Sequence, residues 1–496
     1  MLDCLLVFPR ASLDSPTKSA CLSIFYPGAM LENNGFEVEY VDTRFDPEQK
    51  VIDVIKSKNP ACVGISSMTG SQLHFTKKIL QSVKEYDKNI PTILGGVHAS
   101  LLPDQCLNEP GDLIDFAVVG EGEQTLLELV SEIKGKQDFK KVKGICFKKD
   151  GQIVHNEERP FLDPEKWPFP MTEKNKKYFK YSAKLNDLFY PSSRGCPHRC
   201  RFCYNTVYNR NIWRAMSLEK LDKEIGILAS ELSFSFLSVA DDNISANKNR
   251  VRGVGAVLKK YGLNWHTSLR CDYIDNEMAQ ILDDNGCTGV LLGIESGSER
   301  VLRDVVGKDY RKGVEDIKNC TRILSKTKQV SGFYSFMCNT PTETKEELHA
   351  SMELAEWIKK TDSKARISFF VYAAYPGTKL FDEAVQTGFK PPTDMEGWSK
   401  ITLSNPVNPD AESIYYLAGL RFRGGAGDKT STNFPGLKRL VIAPFEISAH
   451  LRWKTKMISA YGFEKRIVKH LFETASAQRA EAILAKDEAE EVNQVL

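Results

Sequence analysis

Three cysteines fall within twelve residues of one another in the segment Arg194-Gly195-Cys196-Pro197-His198-Arg199-Cys200-Arg201-Phe202-Cys203-Tyr204-Asn205, giving the spacing CxxxCxxC. Thiolates are soft ligands, and three of them on one short loop can hold three irons of a 4Fe-4S cubane while the fourth iron stays open to another ligand. Cys196, Cys200 and Cys203 are therefore the candidate metal ligands. Zinc is the rival, but a closed tetrahedron needs a fourth Cys or His, and His198 lies inside the loop, where its approach to the same ion is awkward. The remaining cysteines of the twelve in the chain are scattered as far as Cys338, unlike a secreted disulfide framework. Reduced thiols and a cytoplasmic setting are expected.

The cysteine loop must be carried by regular structure, and the flanking pattern supplies it. Phe189 to Ser192 reads as a strand just before the loop, followed by a helix from Ser217 and strands at Phe236–Val239, Asn264–Leu269, Val290–Ile294, Gly332–Met337 and Ile367–Tyr372. Helical stretches separate them. About six β/α units predict a partial (β/α)6 TIM-like barrel over residues 185–398, which presents functional groups at the carboxyl ends of its strands. Asp242, the pair Ser268 and Arg270, and the pair Glu295 and Ser296 fall at those ends. A guanidinium suits a carboxylate and an acidic side chain suits an ammonium or a hydroxyl, so Arg270, Glu295 and Asp242 are candidate ligand contacts, with a strand-end charge facing water as the plainer reading.

Residues 1–140 show a second α/β pattern: strands at Leu2–Phe8, Glu37–Val41, Ala61–Ser66, Thr92–Leu94 and Phe116–Val119 alternate with helices at Ser23–Asn33, Ser71–Glu85 and near Glu123. This predicts a doubly wound parallel sheet, a Rossmann-like domain that binds ligands at the carboxyl edge of its strands. There is no GxGxxG, which argues against a nicotinamide cofactor. Residues 141–184 read as a hairpin turning at Lys149-Asp150-Gly151 and a linker containing Pro160 to Met171. Residues 399–496 read as mainly helical, with a helical tail over Phe445–Phe472. Basic and apolar residues interleave there, so the tail is an outer helix with a solvated face, a peripheral membrane contact or, least of all, an RNA contact. The net charge of +2 creates no long-range field that would draw in nucleic acid. No apolar run approaches the ~20 residues that span a bilayer, and the opening residues lack signal-peptide character.

The cysteine spacing, with Phe202 immediately before Cys203, resembles the signature of the radical S-adenosylmethionine (SAM) superfamily. The resemblance implies that the open iron chelates the amino and carboxylate groups of SAM. It also implies that an electron from a low-potential donor such as flavodoxin or ferredoxin cleaves SAM to methionine and a 5′-deoxyadenosyl radical. Phe202, Asp242, Ser268, Arg270, Glu295 and Ser296 then become candidate SAM contacts. Upstream, a serine-rich segment, Gly95-Gly96-Val97-His98 and Gly120-Glu121-Gly122-Glu123 follow strands in the order that resembles the cobalamin-binding domain of cobalamin-dependent radical SAM enzymes. This marks Ser66, Ser67, Thr69, Gly70, Gly95, Gly96, His98, Gly120, Glu121 and Gly122 as candidate cobalamin contacts. No Asp-x-His-x-x-Gly occurs in the chain, so the implied cobalamin has no protein imidazole ligand, and His98 reads also as a core or surface histidine. The resemblance spans roughly residues 1–400. It implies methylation of an unactivated carbon in a small-molecule or lipid-like substrate, with cobalamin-linked oxidative cyclisation or rearrangement as the alternative. A methylthiotransferase would need a second three-cysteine cluster; Cys21, Cys62 and Cys106 are suggestively spaced, but their neighbours read as strand and helix interiors. A non-catalytic cobalamin sensor would have no need of Arg270 and Glu295.

Overall fold

The computed structural model describes residues 2–11, 19–401, 409–422 and 437–458. Its first sheet begins with five parallel strands, β1 (Cys4–Phe8), β2 (Val38–Asp42), β3 (Val63–Ser66), β4 (Thr92–Gly95) and β5 (Phe116–Val118), in the spatial order β2-β1-β3-β4-β5. Near-continuous apolar strands such as Cys4-Leu5-Leu6-Val7, all buried, need cover on both faces. Helices Leu22–Asn33 and Glu123–Lys134 cover one face, and Gln49–Lys58 and Gln72–Tyr86 the other. The direction of winding reverses between β1 and β3, which opens a crevice at the carboxyl ends of those strands. The expected hairpin forms as β6 (Ile145–Lys149) and β7 (Gln152–His155), hydrogen-bonded antiparallel onto β5. Its turn places both Asp150 (φ 52°) and Gly151 (φ 79°) in the left-handed region, the geometry that matches strand twist.

The later strands are β8 (Phe189–Tyr190), β9 (Ser193–Arg194), β10 (Arg214–Ala215), β11 (Phe236–Val239), β12 (Asn264–Leu269), β13 (Cys287–Glu295), β14 (Ser331–Cys338) and β15 (Arg366–Val371). Six of them form a parallel sheet in the order β8-β11-β12-β13-β14-β15, the partial barrel, while β9 and β10 pair as a small antiparallel ribbon. Helices Leu218–Glu231, Lys248–Lys260, Asn276–Asp284, Val314–Leu324 and Lys345–Thr361 alternate with the strands. Side-chain caps fix several helix starts: Ser217 accepts from the Lys220 N–H, Asp275 from Met278, and Thr344 forms a reciprocal capping box with Glu347, each worth about 1 kcal/mol.

The single strand expected over Phe189–Ser192 stops at Tyr190. The buried Asp241 carboxylate takes the N–H and hydroxyl of both Ser192 and Ser193 at 2.6–2.9 Å, pulling the chain out of the sheet and into the ribbon. Helices Gln49–Lys58 and Lys176–Lys184 were not anticipated. Of the helical tail, Leu437–Thr455 is a helix, and residues 459–472 lie outside the described residues. Among the described residues no helix is long and apolar enough to cross a membrane.

Candidate active site

The cysteine loop leaves β9 through Gly195, whose φ is +84° and where a Cβ would lie 2.0 Å from the Ile212 carbonyl oxygen. Only glycine lets the chain pass there. Three neighbours then pin the loop. The Gly195 N–H donates to Asp242 Oδ2 (2.7 Å), the Arg201 N–H to the Val306 carbonyl (2.9 Å), and the Leu380 N–H to the Arg201 carbonyl (2.9 Å). Cys196, Cys200 and Cys203 are all half-buried. Burial is the main cause that raises their thiol pKa values, Cys203 to about 12; Cys196 adds to the rise at Cys200, and Cys200 and Cys196 add to it at Cys203. Lys308 and Arg270 pull Cys200 the other way. Thiols that burial keeps protonated give up their protons on binding a cation, so loading a cluster here is coupled to proton release. His198 is occupied elsewhere, with Nε2 3.3 Å from the Tyr273 hydroxyl and Nδ1 3.7 Å from Asp309. Among the described residues no three Cys, His, Asp or Glu side chains are gathered tightly enough to chelate one ion.

Next to this loop stand the carboxyl ends of β12 and β13. Arg270 directs Nε and Nη2 to Asp272 (3.0 and 2.9 Å) and Nη2 also to Asp309 (2.9 Å), over the ring of Tyr310. Its Nη1 is buried and has no partner among the described residues, a donor waiting for an acceptor such as a ligand carboxylate. Glu295 sits at a register shift between β13 and β14 with φ +65°, a conformation unusual for any residue but glycine and found most often where function requires it. It pairs with the buried Lys308 at 3.0 Å. Lys308 also donates to the Gly293 carbonyl and lies 3.2 Å from the Tyr310 hydroxyl. Burial alone would push the Lys308 ammonium toward neutrality, but Glu295 and Tyr310 outweigh it and hold its pKa well above the ordinary value. Ser296 is fully buried and bonds to Ser351 Oγ at 3.1 Å, bracing the strand end against helix Lys345–Thr361. Ser268 is half-buried on the inner face of the barrel, and Phe202 packs half-buried against the core.

A cavity of about 310 Å³ lies between the carboxyl edge of the first sheet and the barrel, lined by Ser66, Gly95, Gly96, Gly120, Glu121 and Gly122 on one side and by Tyr204 and Asp242 on the other. Seven of the residues singled out in the sequence thus meet in one space. Gly96 (φ +92°) is required because a Cβ would lie 2.5 Å from the Ser67 carbonyl oxygen, whereas a Cβ on Gly120 (φ +83°) would meet nothing within 4 Å and stand in the open. Such a bare edge suits a broad, flat ligand, and no histidine lines it. Ser67, Thr69, Gly70 and His98 do not line the cavity. Ser67 bonds to Thr76 (3.0 Å), and Thr69 to His98 Nδ1 (3.1 Å). Gly70 lies near Ile401. His98 is buried edge-on to Trp398. Cys21, Cys62 and Cys106 are all buried in separate places, before the first helix, before β3 and in helix Pro103–Leu107.

Arg194, Tyr26, Tyr204, Tyr208 and Lys308 were not anticipated. Arg194 bonds Glu121 (3.1 Å) and Glu123 (2.8 Å) and lies over the rings of Tyr26 and Trp167; Arg214 also bonds Glu121 at 2.9 Å. The glycine-rich edge is therefore tied by part-buried ion pairs to the ribbon that leads directly into Cys196. Isolated arginines and tyrosines carry no spacing signal, although Arg194 does stand two residues before the first cysteine.

Two family models match the chain: "B12 binding domain" over residues 16–130 and "Radical SAM superfamily" over residues 190–355. An uncharacterized methyltransferase of Pyrococcus horikoshii is 28% identical over 364 residues, covering 72% of this chain and 76% of that protein. Cytidylyl-2-hydroxyethylphosphonate methyltransferase of Streptomyces wedmorensis is 24% identical over 453 residues, 79% of this chain and 83% of its own length. Among solved structures, the cobalamin-dependent SAM radical enzyme OxsB with aqua-cobalamin and SAM bound superposes with a TM-score of 0.70 at 17% identity, covering 99% of this chain and 81% of that one. The fold and the cysteine loop define a radical SAM enzyme. The B12-binding domain ahead of the barrel places the chain, more narrowly, among the cobalamin-dependent radical SAM enzymes, whose cofactors are a 4Fe-4S cluster, SAM and cobalamin.

Proposed function

We propose that this chain methylates an unactivated carbon of a small-molecule substrate, and the observation that carries the proposal is the shared cavity. Its lining joins the glycine edge of the B12-binding domain to Asp242 and to Tyr204, the residue after Cys203. When bound, the cluster and SAM supply a hydrogen-abstracting radical and cobalamin supplies a methyl carrier. Cys196, Cys200 and Cys203 hold the cluster. Arg270, through its unpartnered Nη1, takes the SAM carboxylate, while Glu295, fixed by Lys308, and Asp242 face its ammonium and hydroxyls. Ser268 and Phe202 flank that site, and Ser296 positions Glu295 by anchoring the strand end. Gly95, Gly96, Gly120 and Gly122 let the cobalamin ring approach the backbone, with Ser66 and Glu121 at its rim. Ser67, Thr69, Gly70 and His98 support the same edge from beneath. Arg270, Glu295 and Ser296 are buried, which keeps bulk water from the SAM side of the site.

The enzyme takes its electron from a low-potential carrier such as flavodoxin or ferredoxin and works in the cytoplasm. Its test is anaerobic incubation of the reconstituted protein with dithionite and SAM carrying a deuterated methyl group. 5′-Deoxyadenosine and a labelled methyl on cobalamin are the expected products; deoxyadenosine with no methyl on cobalamin would turn the reading to oxidative cyclisation or rearrangement.

A further inference from the structure

Three consecutive side chains at the carboxyl end of β11 each hold the next part of the ribbon and the cysteine loop. Asp241 collects Ser192 and Ser193, and Asp242 takes the Gly195 N–H. Asn243 reaches the first cysteine itself, its amide Nδ2 donating to Cys196 Sγ at 3.7 Å.

The orientation of that amide is fixed by its other end. Asn243 Oδ1 accepts the Ser245 N–H at 3.2 Å, capping the short turn Ile244–Ala246, and also accepts the Ser245 hydroxyl. With two donors on the oxygen, the NH2 group must face Cys196. Ser245 Oγ in turn receives the backbone N–H of Arg270 at 3.5 Å. Asn243 and Ser245 are both buried, so bulk water does not compete for these groups. Backbone N–H groups of His198 and Asn205 also point at Cys196 and Cys203, but Asn243 donates from a side chain that substitution can remove. The cap alone does not call for asparagine: Asp or Ser caps as well, and neither carries a side-chain N–H.

We infer that Asn243 is a positioning residue that holds Cys196 as a cluster ligand and makes the cluster easier to reduce. An N–H dipole aimed at a ligand sulfur stabilises the negative charge that an added electron brings, so it raises the reduction potential. Through Ser245 the same amide is braced on the strand end that presents Arg270. The inference rests on the proposed reading that Cys196, Cys200 and Cys203 hold the cluster, and adds to it a residue that sets the cluster's potential.

The test is an anaerobic redox titration of the reconstituted full chain, read by electron paramagnetic resonance of the reduced cluster without SAM and without turnover. Asn243→Ser keeps the cap, adds no charge and removes the donor. Iron content should stay at the wild-type value while the equilibrium constant for reduction falls about threefold to tenfold, ~30–60 mV for one electron. Asn243→Asp keeps the cap but sets a carboxylate against the sulfur, and should lower the constant further. Should both variants lose iron, Ser245→Ala carries the test: it frees the amide to turn and should lower the constant about twofold to threefold. Ser193→Ala loosens the ribbon without touching the Asn243 contact and should leave the potential unchanged. A potential no lower than wild type in an iron-loaded Asn243 variant, or in Ser245→Ala where that variant decides, would overturn the inference and leave the cluster assignment standing. An equal drop in Ser193→Ala would do the same, since slack in the loop would then explain the shift. A wild-type chain that takes up no cluster would overturn both.

Discussion

Replacing Lys308 with Met should cost far more than a surface charge. Lys308 and Glu295 side chains are 6% and 10% exposed and 3.0 Å apart, where an effective dielectric of about 20 gives a Coulomb attraction of about 5–6 kcal/mol before desolvation is charged against it. Lys308→Met leaves the Glu295 carboxylate buried without its cation, a loss of about 3–5 kcal/mol. Hydrogen exchange read along residues 290–310 measures this locally, without assuming that a multidomain chain unfolds in one step. Protection should fall by roughly two to three and a half orders of magnitude. Glu295→Gln made together with Lys308→Met should recover most of the loss, a coupling of about 2 kcal/mol or more. A single-variant cost below about 1 kcal/mol, or strict additivity in the double variant, would show that the pair does not hold the strand end.

Gly96→Ala should destabilise the first domain by about 1–3 kcal/mol in urea melts, because its φ of +92° and the Ser67 carbonyl oppose a side chain,. Gly120→Leu should keep iron content at the wild-type value and lower cobalamin uptake, seen as lost visible absorbance after desalting, since its side chain would enter the open cavity. Arg194→Ala removes the cation paired with Glu123 and one of the two paired with Glu121 and should raise exchange at both residues 118–124 and 192–204; a change confined to one of them would contradict a tie between the two domains. Burial lowers the His98 pKa to about 4. The folded state therefore binds fewer protons than the unfolded one between about pH 6.5 and 4, so stability is present above that window and is lost as pH falls through it. His98→Gln should flatten this slope in acid-unfolding curves.

The parts of the site that were legible in the sequence are those whose chemistry is written in local spacing. Cys196, Cys200 and Cys203 sit on one loop because their offsets allow nothing else, and Gly95, Gly96, Gly120 and Gly122 follow buried strands whose apolar runs are plain. Arg270 and Glu295 could be placed at strand ends by the barrel pattern alone. Their partners could not, because Lys308 reaches Glu295 across a connection whose path is set by tertiary packing. The same holds for Asp241, which ends β8 early by collecting the donors of two serines almost fifty residues away in sequence. Helix Lys176–Lys184, with the buried Tyr178 and Phe179, was hidden in a linker rich in charge. His98 follows a glycine pair at a strand end, where a ligand contact is a natural expectation, but the Trp398 ring that covers it comes from a helix three hundred residues away.

The most direct measurement is anaerobic reconstitution of the full chain with iron, sulfide and hydroxocobalamin, followed by iron and cobalt stoichiometry and electron paramagnetic resonance of the reduced protein. One 4Fe-4S cluster and one cobalamin per chain, with the cluster signal shifted by SAM and absent when Cys196, Cys200 and Cys203 are all replaced by Ala, is the predicted result. Wild-type iron in that triple-alanine variant, or a wild-type chain that holds a cluster but no cobalt, would contradict the account.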